Sequence, residues 1–146
     1  MMSMIPSVKN IPAETNIDIL LDQGFIWSEA IVIAVGNKVF DRLSEAEIKC
    51  ASGFNGGIGS THLGHCGALT GGIVLIGAVT GRSSPDQDNQ KCKLLAKEYY
   101  ERFSSLYGCT QCDEIKQKIR EIDGCDSCRI LLRNAAGILT IVIENA

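Results

Sequence analysis

The chain has 146 residues, a net charge of −3 and an isoelectric point near 5.4. That balance argues against a sequence-independent nucleic-acid binder, which concentrates Lys and Arg against phosphate, and against a role on anionic membrane surfaces. Hydrophobic content of 45% and charged content of 21% are those of an ordinary globular chain. A chain this long buries roughly 68–70% of its unfolded surface, so one domain over 1–146 needs no disulfide to hold a core.

In chain order the pattern is helical. The opening stretch MMSMIPSVKNIPAET lacks the basic start, apolar core and small-residue cleavage site of a signal peptide. Pro12 to Asp22 reads as a short helix with Ile17, Leu20 and Leu21 on one face and Gly24 as its stop. Phe25 to Phe40 is apolar almost all round and is expected to be well buried. Ser44 and Glu47 have capping-box spacing and open a helix to about Ala51.

From Cys50 to Gly81 there is no Asp, Glu, Lys or Arg, and ten of the 15 glycines fall there. GFNGGIG (53–59) reads as a turn-rich loop, and Cys66 to Thr80 as a buried central helix ended by Gly81. Gly67/Gly71 and Gly77/Gly81 are spaced i, i+4. They permit close backbone approach and lower helix propensity by about 1 kcal/mol each. The longest uncharged apolar run, Cys66 to Val79, is 14 residues, short of the ~20 that span a bilayer.

Pro85 suits the first turn of a helix running to Tyr107, with Leu94, Leu95, Tyr99, Phe103 and Leu106 as its stripe and Gly108 as its stop. Thr110 is expected to cap a short helix containing Ile115 and Ile119, broken by Gly124. A last helix runs from about Asp126 to Ile143; its β-branched tail ILTIVI continues a helical stripe. The expected fold is all-α, a single helical bundle around the glycine-rich segment 53–81, with cysteine-bearing helices over 109–143. Helices apolar on more than one side are compatible with a homodimer.

Seven cysteines remain to be explained. With no secretion signal, the expected location is the cytoplasm, where thiols stay reduced and an odd cysteine count reads as metal or redox chemistry rather than a disulfide framework. Cys109, Cys112, Cys125 and Cys128 form C-x2-C-x12-C-x2-C, a spacing that can surround one metal with four thiolates. Cys66, Cys112 and the Cys125/Cys128 pair fall at expected helix starts, where free N–H groups and the helix dipole stabilise thiolate. Cys50 and Cys92 read as small buried fillers. His62 and His65 read as loop histidines, although His/Cys ligation of clusters is known chemistry. The Lys/Glu patterns of Lys91 to Arg102 and Glu114 to Glu121 read as solvated faces. Gly57-Ile58-Gly59 lacks the remaining features of a dinucleotide loop.

Gly53-Phe54 with Gly56-Gly57, then Cys66-Gly67-Ala68-Leu69-Thr70-Gly71, then Phe103 to Tyr107 leading to Cys112, and Cys128 before Ala135-Ala136, resemble the C-GCAxxG-C-C family of redox-active proteins over about residues 18–140. The family is similar to the non-haem part of split-Soret cytochromes. The resemblance implies a compact helical protein that is redox-active or binds an iron–sulfur cluster. The family's first cysteine lies in a Cys-Ala-(Glu/Gln)-Ala context; here that segment is Trp27-Ser28-Glu29-Ala30, so Trp27 stands in place of the thiol. Three family cysteines remain, Cys66, Cys112 and Cys128, with Cys109 and Cys125 as candidate substitutes for the fourth.

The expected function is therefore an iron–sulfur or other metal-binding redox protein that exchanges electrons with a partner protein. Cys66, Cys112 and Cys128, with Cys109 or Cys125, are its metal ligands, and Gly67 and Gly71 pack close around the cofactor. Two alternatives are a thiol–disulfide oxidoreductase using Cys109 and Cys112, and a zinc-stabilised helical interaction module.

Overall fold

The computed structural model describes residues 12–40, 43–124 and 129–146. It contains seven α-helices and, among the described residues, no strand. They are α1 (Ala13–Asp22), α2 (Trp27–Val39), α3 (Glu45–Ala51), α4 (Gly67–Thr80), α5 (Gln90–Tyr107), α6 (Cys112–Asp123) and α7 (Arg129–Glu144). The all-α reading holds, including the β-branched tail of α7.

Helix α2 is the enclosed centre. Every residue from Ala30 to Asn37 is buried, because α1, α3, α4 and α7 pack around it. Its all-round apolar sequence is thus satisfied within one chain. Burying each of Ile31, Val32, Ile33 and Val35 stabilises the fold by about 1.5–3 kcal/mol. Helix α4, expected at the centre, packs tightly on α2 and α5 but leaves Ile73 exposed.

Local chemistry sets the helix ends. The Ser44 hydroxyl and backbone N–H both donate to Glu47 Oε2, the latter at 3.1 Å, which completes the expected capping box of α3. Gly108 and Gly124 end α5 and α6 in the left-handed region, at φ 74° and 68°.

Four local expectations are corrected. Helix α5 begins at Gln90, not near Pro85. The Arg82 guanidinium donates to the Pro85 and Gln87 carbonyls, and Gln87 Oε1 accepts from the Ser83 N–H at 2.9 Å, folding 82–87 into a closed turn. Leu94 is exposed, because the inward stripe of α5 is Leu95, Tyr99 and Phe103 at four-residue spacing. Gln111, not Thr110, is the N-cap of α6. Cys50 is exposed, since α3 turns Ala51 inward instead; Cys92 is only half-buried.

Two arginines fasten α7 to α1. Arg133 donates to Asp18 from Nε at 2.8 Å and from Nη2 at 3.0 Å, and Arg129 bridges Asp18 and Asp22. The hydrogen bond from Arg133, chiefly, holds the Asp18 carboxyl below its ordinary value, with burial opposing. An Asp18→Asn variant is expected to lose up to about 1 kcal/mol at neutral pH. A lowered native value means that this stability is present above the unfolded carboxyl's 3.8 and is lost as pH falls through the native value. Urea midpoints for wild type and variant should therefore converge in acid; a gap independent of pH would contradict this account.

Candidate functional site

The glycine-rich loop ends in a short extended segment, and so does the chain between α5 and α6. The two meet in an antiparallel bridge that pairs His65 with Gln111. The Cys66 N–H donates to the Thr110 carbonyl at 2.8 Å, and the Cys112 N–H donates to the Gly64 carbonyl at 2.9 Å. Residues 66 and 112 are therefore diagonal neighbours across the bridge, a relation that sets backbones about 7–8 Å apart. An unstrained disulfide needs Cα atoms within roughly 4.4–6.8 Å. Both residues are buried.

Each of the two cysteines starts a helix. Cys66 is the N-cap of α4, and Cys112 is the first residue of α6. Helix N-termini present unsatisfied N–H groups and partial positive charge, which favour an anionic sulfur or sulfide. Cys112 also lies on the buried stripe of α6, in register with Ile115 and Ile119. Burial pushes its thiol up; Asp113 adds to this and Lys116 opposes it. Burial likewise pushes up Cys109, aided by Glu114 and Asp113 against Lys118. At Cys112, the one of the two that starts a helix, desolvation thus works against the thiolate stabilisation expected from the helix start.

Trp27, the residue standing where the family cysteine is expected, is the first residue of α2. It lines a narrow apolar crevice, too tight to admit a water molecule, together with Cys66, Ala68, Leu131 and Leu132. Three helix starts therefore converge: α2 at Trp27, α4 at Cys66 and α7 at Leu131 and Leu132. Cys128 immediately precedes Arg129, the first residue of α7. Cys125 and Cys128 themselves lie outside the described residues. Cys109 is half-buried against the core beside Thr110.

Gly67 and Gly71 pack against the protein itself. A Cβ at 67 would come 2.3 Å from the Phe54 carbonyl oxygen, and one at 71 would come 2.7 Å from the Ser28 carbonyl oxygen. At Gly72 it would enter the ring of Tyr99, whose hydroxyl donates to the Ala68 carbonyl at 2.8 Å. These contacts clamp α4 onto α2 and α5 and hold the Cys66 end of the helix in place.

Neither histidine stands free. His65 Nδ1 lies 2.9 Å from Thr110 Oγ1, and its ring meets Tyr100 edge-on. His62 Nδ1 is 2.9 Å from Lys116 Nζ, and that ammonium sits 5.9 Å from the centre of the Trp27 ring. Lys116 was read from sequence as part of a solvated face. Its i+4 spacing from Cys112 is the signal that places it beside the site.

Among the described residues, no group of three or more His, Cys, Asp or Glu gathers as a metal site. The donor chemistry still suits a thiophilic metal or cluster. Two buried sulfurs are fixed at two helix starts, and a third cysteine enters the sequence one residue before α7.

A bundle that brings buried cysteines together at helix N-termini, behind a glycine-clamped helix, defines a class of small cysteine-centred helical proteins. The family model described as "Putative redox-active protein (C_GCAxxG_C_C)" matches residues 25–142, and the chain belongs to that family. No curated protein and no solved structure matches it. No helix among the described residues is long and apolar enough to cross a membrane.

Proposed function

We propose that the protein is an electron-transfer protein holding an iron–sulfur cluster through Cys66, Cys112 and Cys128, with Cys109 or Cys125 as the source of a fourth thiolate. The observation that carries this reading is the 65/111 bridge, which fixes Cys66 and Cys112 as buried neighbours at two helix starts. Bound there, a cluster would supply one-electron chemistry, delivered to or from a partner protein in a reducing compartment. The chain's own residues supply the surroundings. The first turns of α4 and α6 offer N–H groups to sulfur, Gly67 and Gly71 allow the close packing that excludes water, and Trp27 fills the family's remaining ligand position with an apolar wall.

Burial favours a ligand role over a thiol–disulfide role. An attacking thiol must be accessible and easily ionised, whereas Cys112 is buried and its thiol is pushed up.

The test is anaerobic purification followed by visible absorbance and metal analysis of one sample. The expected result is a brown protein with iron and acid-labile sulfide. A colourless protein with stoichiometric zinc would replace the redox reading with a structural module. A colourless, metal-free protein that also fails reconstitution would remove metal binding altogether.

A further inference from the structure

A second concave feature lies beside the cysteine site and shares Trp27 with it. It is an open cleft of ≈ 380 Å³ between the end of α1, the start of α2, the loop at 55–62, α6 and the first residue of α7. That volume is within the range of small-molecule sites, about 300–1,000 Å³. Its lining combines apolar Leu21, Phe25 and Trp27 with polar Asn55, Ser60 and Lys116. Among the described residues no Asp or Glu lines the cleft, although the chain as a whole is acidic.

The charge in the cleft centres on Lys116. Arg129, also in the lining, is engaged with Asp18 and Asp22. The Lys116 ammonium contacts His62 Nδ1 and the Trp27 ring, and no carboxylate pairs with it among the described residues. An ammonium carries three donors and His62 takes one, so the others remain to meet an acceptor entering the cleft. The loop is built to hold this arrangement. His62 adopts φ 62°, in the left-handed region, and its N–H is fixed to the Gly56 carbonyl at 2.8 Å. A side chain other than glycine held there costs energy, so the contacts that fix the loop also hold the His62 ring against Lys116.

We infer that this cleft binds a small organic anion with a flat apolar body, its carboxylate on Lys116 with Asn55 and Ser60, and its body against Trp27 and Phe25. The pattern of a lysine not paired to a carboxylate among the described residues, two neutral hydrogen-bonding side chains and an aromatic wall selects that chemistry over a neutral or cationic ligand. Trp27 lines both the cleft and the crevice that reaches Cys66. The ligand therefore lies one indole away from the cysteine site. This binding goes beyond the cluster reading and holds whether or not the thiols carry a metal.

Trp27 is the sole tryptophan, so its fluorescence reports the site directly. The experiment titrates the full chain with benzoate and with benzamide, its neutral analogue, while following Trp27 emission. Lys116→Gln is compared with Lys118→Gln, a change on the same helix outside the cleft. The expected result is a saturable change with benzoate, affinity for benzamide about tenfold or more weaker, and a similar loss for benzoate in Lys116→Gln but not in Lys118→Gln. Circular dichroism establishes that each variant folds. Equal affinity for benzoate and benzamide, an unchanged Lys116→Gln, or no saturable change with benzoate would each overturn the inference.

Discussion

Alanine at position 67 is expected to cost about 3 kcal/mol of stability, and alanine at 71 nearly as much. Both added methyl groups would strike backbone rather than flexible side chains: the Phe54 carbonyl at 2.3 Å and the Ser28 carbonyl at 2.7 Å. Overpacking a rigid interior costs about 1–3 kcal/mol, with the upper end reached where the obstacle is main chain. The same substitution at Gly77, in the same helix, meets nothing within 4 Å. There, alanine should gain up to about 1 kcal/mol from helix propensity alone. Guanidinium midpoints for the three variants decide the matter. If Gly67→Ala and Gly77→Ala shift the midpoint in the same direction, the glycines are not packing devices.

Removing either bridge cysteine is expected to abolish metal retention. Cys66→Ser and Cys112→Ser should each lose essentially all bound metal, because a hydroxyl is a poor ligand for a thiophilic centre. Cys50→Ser, on the exposed side of α3, and Cys92→Ser, half-buried on α5, should keep it. The four variants are compared by metal content and visible absorbance after identical anaerobic purification. Full retention in Cys66→Ser would take that residue out of the site. The raised thiol at Cys112 adds a pH dependence. Metal binding must displace its proton, so affinity measured by chelator competition should rise with pH through the alkaline range, toward the thiol's raised value. An affinity independent of pH would mean that Cys112 does not ligate.

Much of the architecture is read from local signals. The apolar run from Ala30 to Val35 demanded enclosure, Ser44 and Glu47 marked the start of α3, and Gly108 and Gly124 marked two helix ends. Each of these rests on a propensity or a hydrogen bond within a few residues, which is why the sequence carries it. Errors came where a side-chain contact that the helical pattern does not encode decided, near in sequence or far. Arg82 and Gln87 closed the turn that kept Pro85 out of α5. Thr110, expected as a cap, was drawn instead into contact with His65, 45 positions away in sequence.

The same division holds for the site. From the sequence alone it was determined that the protein is an all-helical chain, that Cys66 and Cys112 sit at helix starts, and that the CGALTGG segment needs close packing. Which cysteines meet is a tertiary fact. The bridge between His65 and Gln111 joins segments 46 residues apart, and no local pattern encodes that pairing. Tertiary structure also pushes the Cys112 thiol up, because burial, which no spacing reveals, disfavours its charged form. The cleft around Lys116 and Trp27 belongs to the same category. Its walls come from five separate parts of the chain, and their shared concavity exists only once α2 is enclosed and the loop at 55–62 is fixed against α6.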